Sequence, residues 1–205
     1  MSNTSPSIVR KAASADPRVI RSTHALGAAL VALMLEENFN NITVQSILDR
    51  AGVGRSTFYA HFRNKQDVLH SSYEQMFAWL EQELDQPSPV GARIVPVAEF
   101  LMHIGGAGPL VDALRTSGQL QEISDLGVGF LARMIERHIR ALAGTTPAVP
   151  AALVARMLAG GLMEMVEWWG DHQSSMTQTQ MDATFHALAR TLLRRASYEA
   201  AKADG

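Results

Sequence analysis

Apolar residues recur along this chain at the three-and-four spacing of helices, and nowhere is there a sustained period of two. Leu26, Leu30, Leu33 and Met34 form the first stripe, in a segment that opens with Asp16 as a cap and Pro17 where no N–H donor is needed. Glu36-Glu37-Asn38 closes it, with Asn38 read as a left-handed C-cap. A second helix starts at Thr43, whose hydroxyl is placed to accept a first-turn N–H, between the staple positions Ile42 and Ile47. Gly52 ends it. A short third helix runs from Arg55 to about Phe62. Asn64 caps a fourth, with Asp67 three residues on and Leu69, Tyr73, Met76, Phe77 and Leu80 along it, ending before Pro87 and Pro89. Further helices are expected near 92–104, 109–116, 119–142, 150–170 and 178–200, separated by Gly105-Gly106, Gly118, Gly144 with Pro147 and Pro150, and Gly170. The pattern predicts an all-α chain with no internal repeat.

Composition narrows the classes. With 47% hydrophobic residues among 205, the chain can bury a sizeable core. The absence of cysteine excludes disulfides and thiolate metal sites. No signal-peptide pattern and no apolar run of about 18 residues is seen, so a cytoplasmic protein without a membrane partner is expected. The net charge of −2 hides an asymmetry: residues 1–70 hold eight Lys or Arg against five Asp or Glu, a surplus of three positive charges. A basic N-terminal part suits a polyanionic partner. Residues 1–15, rich in Ser, Ala, Asn, Thr and Pro, are expected to form a flexible arm.

The segment 43–63 carries the chemistry. Ala51 is small enough for two helices to cross closely, Gly52 turns the chain, and Val53 plugs the angle between them. Phe58 and Phe62, at i and i+4, anchor the third helix inward. Arg55, Ser56, Thr57, Tyr59, Ala60 and His61 are left to face outward. These suit a major groove: Arg binds a guanine edge with two bonds, hydroxyls reach bases or phosphates, and methyls meet thymine. Lys65 brings a charge to the N-terminus of the fourth helix, itself an anion site.

The stretch from about Arg18 to Leu69 resembles the N-terminal domain of the TetR family, through Ile42-Thr43-Val44, Ile47, Ala51-Gly52-Val53, Arg55-Ser56-Thr57-Phe58-Tyr59, His61-Phe62 and Lys65. The resemblance covers a quarter of the chain. It implies a three-helix helix-turn-helix DNA-binding domain, a larger helical ligand-binding and dimerisation domain, and repression relieved by a small-molecule effector. By position, it places contacts with an operator in double-stranded DNA on Thr43, Arg55, Ser56, Thr57, Tyr59, His61 and Lys65. Two departures stand out. Gly54 replaces the frequent Ser that caps the reading helix, and Asn38 replaces a usual Gly.

The expected organisation is an arm at 1–15, a helix-turn-helix domain at 16–65 and an effector-binding, dimerising domain at 66–205. Met76, Trp79, Phe100, His103, Phe130 and Met134 are candidates for an effector pocket, being bulky and partly adaptable. Leu158, Leu162, Met165 and Trp169 in one helix, with Met181, Phe185, Leu188 and Leu192 in the last, form stripes that could pair two copies into a four-helix bundle. Glu164, Glu167, Asp171 and His172 could be drawn as a metal site, but Glu164, Glu167 and Asp171 at helical spacing read as a solvated acidic face. The glycine runs 105–108 and 127–129 lack the preceding strand of a nucleotide loop, and no nucleophile–base arrangement emerges. No enzyme, cofactor or metal is expected. The rival reading is a helix-turn-helix fold that binds ligands or proteins and has ceased to read DNA.

Overall fold

The computed structural model describes residues 16–84, 93–105, 108–142, 149–171 and 175–203. Among these the regular structure is helix alone, in nine segments: α1 (Pro17–Met34), α2 (Val44–Ala51), α3 (Arg55–Tyr59), α4 (Lys65–Leu84), α5 (Val97–Ile104), α6 (Gly108–Thr116), α7 (Leu120–Leu142), α8 (Ala151–Asp171) and α9 (Gln178–Ala203). None of the described helices is long and apolar enough to cross a membrane. The expected arm at 1–15 and the breaks at Pro87, Pro89, Gly144 and Pro147 lie outside the described residues.

The caps explain where the first helices begin. The Asp16 carboxylate accepts the Arg18 N–H at 2.9 Å, with Pro17 at the first helical position. Thr43 Oγ1 accepts the Ser46 N–H at 3.0 Å while Ser46 Oγ accepts the Thr43 N–H at 3.1 Å, a reciprocal capping box. At the start of α4, Asn64 Oδ1 accepts the Asp67 N–H at 2.9 Å and Asp67 returns the favour to the Arg63 N–H. Gly52 closes α2 at φ 65°, in the left-handed region that favours glycine. Asn38 behaves otherwise than expected. No described residue other than glycine has positive φ, and α1 is already closed by the Glu36 and Glu37 N–H groups donating to the Leu33 carbonyl. The Asn38 side chain instead accepts the Asn40 N–H at 2.9 Å, shaping the turn that follows.

Two apolar cores share α4. The first gathers Leu26, Leu30, Leu33, Ile47, Leu48, Phe58, Phe62, Val68 and Leu69, and is completed by Leu114 of α6 and Ile123 of α7. The second is built from Phe77 and Leu80 of α4 with α5, α7, α8 and α9, among them Leu101, Leu131, Ile135, Leu162 and Met181. Tyr73, between them on α4, packs against both. Its burial pushes the phenol up to about 12.

Helix α5 starts later than its apolar pattern predicts. Pro96 disfavours helical backbone in the residue before it, so Ile94 and Val95 enter the core as irregular chain. Polar groups of α9 satisfy that chain. His186, fully buried, accepts the Ile94 N–H on Nε2 at 3.1 Å and lies 2.8 Å through Nδ1 from the Asp182 carbonyl. Buried Asp182 accepts the Ala98 N–H at 3.3 Å. Nearby on α7, His138 has a buried Nε2 without a hydrogen-bond partner.

These local energetics can be tested at Gly52, Gly54 and His138. Nothing lies within 4 Å of a Cβ added at Gly52 or Gly54, so only backbone and capping decide. Gly52→Ala, forced to positive φ, loses about 1 kcal/mol of stability in urea denaturation. Gly54→Ser, at φ −74° and ψ 152°, gains roughly a few tenths of a kcal/mol by capping α3. Burial, and secondly His186, hold the His138 pKa below its ordinary value. The folded protein therefore binds that proton less readily than the unfolded chain. Its contribution is full above the unfolded value of about 6.5 and is lost as pH falls through the lower folded value. Melting temperature thus falls on acidification below about pH 6.5, and His138→Gln shows a smaller fall.

Candidate nucleic-acid interface

Helix α3 is held by what it buries. Phe58 is 0% exposed, with the Phe62 ring centroid at 5.7 Å and the Tyr59 ring edge-on at 5.1 Å. Regular α-helix stops at Tyr59, but Ala60 N–H donates to Ser56 and Phe62 N–H to Phe58, so the turn runs on to Phe62. With the two phenylalanines inward, Arg55, Ser56, Tyr59, Ala60 and His61 are exposed and Thr57 is half-buried. Tyr59 stands 59% exposed, a large aromatic ring with its hydroxyl tip and no internal duty beyond flanking Phe58. Thr43 is also exposed, though its hydroxyl is engaged in the capping box.

Lys65 sits differently from the expectation that it faces outward to an anion. Its ammonium donates to the carbonyls of Phe39 at 2.6 Å, Asn40 at 3.0 Å and Ile42 at 2.7 Å, and lies 4.7 Å from the centre of the Phe39 ring. An ammonium has three N–H donors, and all three are used. Partial burial lowers its pKa, opposed by the charge of Glu37. Lys65 ties the start of α4 to the loop that leads into α2.

Other cations are also committed. Arg50 of α2 grips the Glu36 carboxylate with two bonds of 2.6 Å, and that bond holds Glu36 below the usual carboxylate range. Arg63 pairs with Asp67 at 3.1 Å. Arg55 points to a neighbour that sequence reasoning missed: its Nε donates to Gln45 Oε1 at 3.0 Å, with Nη2 on the same oxygen. Gln45 Nε2 in turn donates to Asp49 Oδ1 at 2.6 Å. A glutamine at the second position of α2 carries no motif, so only the folded arrangement reveals the contact.

The remaining candidates divide by burial. Phe100 and Met134 are buried in the second core, and Met76, Trp79 and Phe130 pack half-buried against it. Phe77 links two of the candidates, its ring stacked on Phe130 at 5.1 Å and tilted against Phe100 at 6.1 Å. His103 is exposed, with its ring 5.5 Å from that of Trp79. The structure thus brings Phe100 to Phe130 through Phe77, and His103 to Trp79. Of the helix stripes, Leu162, Trp169, Met181 and Phe185 fill the subunit's own core, and Leu158 and Met165 are half-buried beside it. Leu188 and Leu192 face out, and so do Leu153, Met157 and Trp168 of α8.

A second polar contact joins the first core to the rest of the chain. Gln66 Nε2 donates to Gln119 and Glu122, each at 2.8 Å, and His70 Nε2 lies 2.8 Å from Glu122. Beside them, an open depression is lined by Gly118, Gln121, Glu122, Asp125 and Leu126.

Comparison with known proteins fits this geometry. Residues 26–71, from α1 into α4, match the domain described as bacterial regulatory proteins, tetR family. The uncharacterized HTH-type transcriptional regulator YxbF of Bacillus subtilis is 31% identical over 64 residues. That match takes in 31% of this chain and only 17% of YxbF. A TetR transcriptional regulator from Streptococcus agalactiae shares the fold over 84% of this chain and 95% of its own, with a TM-score of 0.58 at 21% identity. The dihydroxyacetone kinase operon activator DhaS does so over 87% and 99%, with a TM-score of 0.64 at 13% identity. FadR of Bacillus subtilis, solved with stearoyl-CoA, superposes over 83% and 97% with a TM-score of 0.52 at 18% identity. Residues 26–71 are thus similar to the helix-turn-helix domain of the tetR family, and the described helices around them share the fold of these solved regulators.

Proposed function

We propose that the chain is a DNA-binding transcriptional regulator, a cytoplasmic homodimer that represses from a roughly palindromic operator and is released by a small-molecule effector. The observation that carries this reading is the outward face of α3, where Arg55, Ser56, Tyr59 and His61 stand exposed while Phe58 and Phe62 lock the opposite side. Residues 16–65 form the reading unit, and residues 66–205 bind effector and partner. Two α3 helices enter successive major grooves, about 34–36 Å or a multiple apart. That FadR, which shares the fold, was solved in complex with stearoyl-CoA supports a small-molecule effector. An effector acts by binding more tightly to a dimer whose reading helices are wrongly spaced. Lys65, spent on three carbonyls, shapes this interface from within.

The exposed apolar residues of α8 and α9 support the dimer. Leu153, Met157, Trp168, Leu188 and Leu192 are a partner surface, since soluble proteins rarely leave so many large apolar groups on adjoining helices uncovered.

Binding to duplex DNA flanking the protein's own gene, followed by fluorescence anisotropy across salt, tests the reading. Affinity falls linearly with salt on logarithmic axes, as counterion release requires. Tyr59→Ala weakens binding to most sequences, and Arg55→Ala costs about 1–3 kcal/mol and relaxes base preference as well. Folded dimer that shows no salt-dependent binding would overturn the proposal in favour of a module that has ceased to read DNA. Leu188→Glu, at a position 60% exposed, gives a folded monomer in sedimentation equilibrium.

A further inference from the structure

We infer that Gln45 is a positioning residue that sets which base Arg55 reads, by aiming its guanidinium and shielding it from Asp49. The inference rests on the DNA-reading assignment above and adds a residue to it. Gln45 lies in the first turn of α2 and Arg55 opens α3, so the two side chains meet across the 52–54 turn. The amide has one workable orientation. Arginine only donates, so the Gln45 oxygen must face Arg55, where it takes Nε at 3.0 Å and Nη2. An ionised carboxylate only accepts, so the Gln45 NH2 must face Asp49, at 2.6 Å.

This leaves Arg55 with a defined remainder. Of its five N–H donors, two are on Gln45, and the other three sit on the terminal nitrogens. Those present an end-on pair matched to guanine O6 and N7. Both residues are exposed, so without the amide the arginine samples many directions. Holding it in one before DNA arrives reduces the ordering cost of binding.

Asp49 supplies the second half of the inference. It stands one helical turn beyond Gln45 on the exposed face of α2, within amide reach of the same site. A carboxylate that paired directly with Arg55 would occupy its donors and cancel its charge toward phosphate and base. The Gln45 amide occupies the intervening space and satisfies each neighbour with its matching end. Gln45 therefore acts through Arg55.

Selection from a duplex pool randomised over about two helical turns, followed by sequencing, reads base preference position by position. Wild-type protein enriches guanine at one position per half-site, and Arg55→Ala flattens that position. Gln45→Ala lowers the guanine preference at that same position at least fivefold, leaves other positions intact, and changes nothing further when added to Arg55→Ala. Asp49→Ala restores part of the preference in the Gln45→Ala background. Circular dichroism and dimer mass match wild type, because Gln45 is exposed and alanine suits a helix. A Gln45→Ala variant that keeps the guanine preference, or alters a different position, overturns the positioning role. A double variant no better than Gln45→Ala overturns the shielding role. Wild-type protein that enriches no sequence overturns the DNA-reading assignment itself, a result distinct from either.

Discussion

A helix of one and a half turns cannot hold itself. Nucleating a helix fixes several residues for very few hydrogen bonds, and α3 has no length over which to recover that cost. It persists because Phe58 is wholly buried, an anchor whose loss in a packed core costs about 3–5 kcal/mol. Much of the surrounding structure serves that contact. Leu26, Leu30 and Leu33 of α1 and Val68 and Leu69 of α4 belong to the same core, and the Lys65 ammonium ties the α4 start to the Phe39–Ile42 loop. The outward face of α3 is a by-product of this: once Phe58 is seated, Arg55 and Tyr59 are left on the solvent side.

The features legible in the sequence are the ones that act over a few residues. Asp16, Thr43 and Asn64 cap helices as their types and spacings indicate, because the donor they satisfy lies two or three residues away. Gly52 turns the chain for the same local reason. Asn38 misled because α1 had already closed on the Leu33 carbonyl, so the turn after it needed no left-handed residue. Lys65 and Gln45 were illegible for a different cause. The partners of Lys65 are backbone carbonyls 23–26 residues earlier, and a carbonyl has no letter in the sequence. Periodicity also marked the apolar stripes of α8 and α9 without resolving which residues face inward: Leu162 is 0% exposed and Leu188 60%.

The seam between the two cores is chemically mixed. Tyr73 bridges them with an apolar body on α4, and the joining bonds from Gln66 and His70 to Gln119 and Glu122 are polar and partly open to water. Apolar packing tolerates small slips, whereas hydrogen bonds between fixed donors and acceptors weaken steeply with misalignment. A shift of α7 against α4 would therefore be registered first in these amides and the Glu122 carboxylate. Asn40, just ahead of α2, donates to the Ser117 carbonyl at 3.4 Å, so the same seam reaches the loop that leads into α2.

Leu114 and Ile123 come from α6 and α7, yet they sit in the core that seats Phe58. The helix-turn-helix and the core that supports it are consequently different stretches of chain. A chimera spliced after α4 would carry the letters of α2 and α3 but leave a hole where Leu114 of α6 and Ile123 of α7 had closed the core. The unit that has to move intact to keep Phe58 seated is therefore larger than the helix-turn-helix itself.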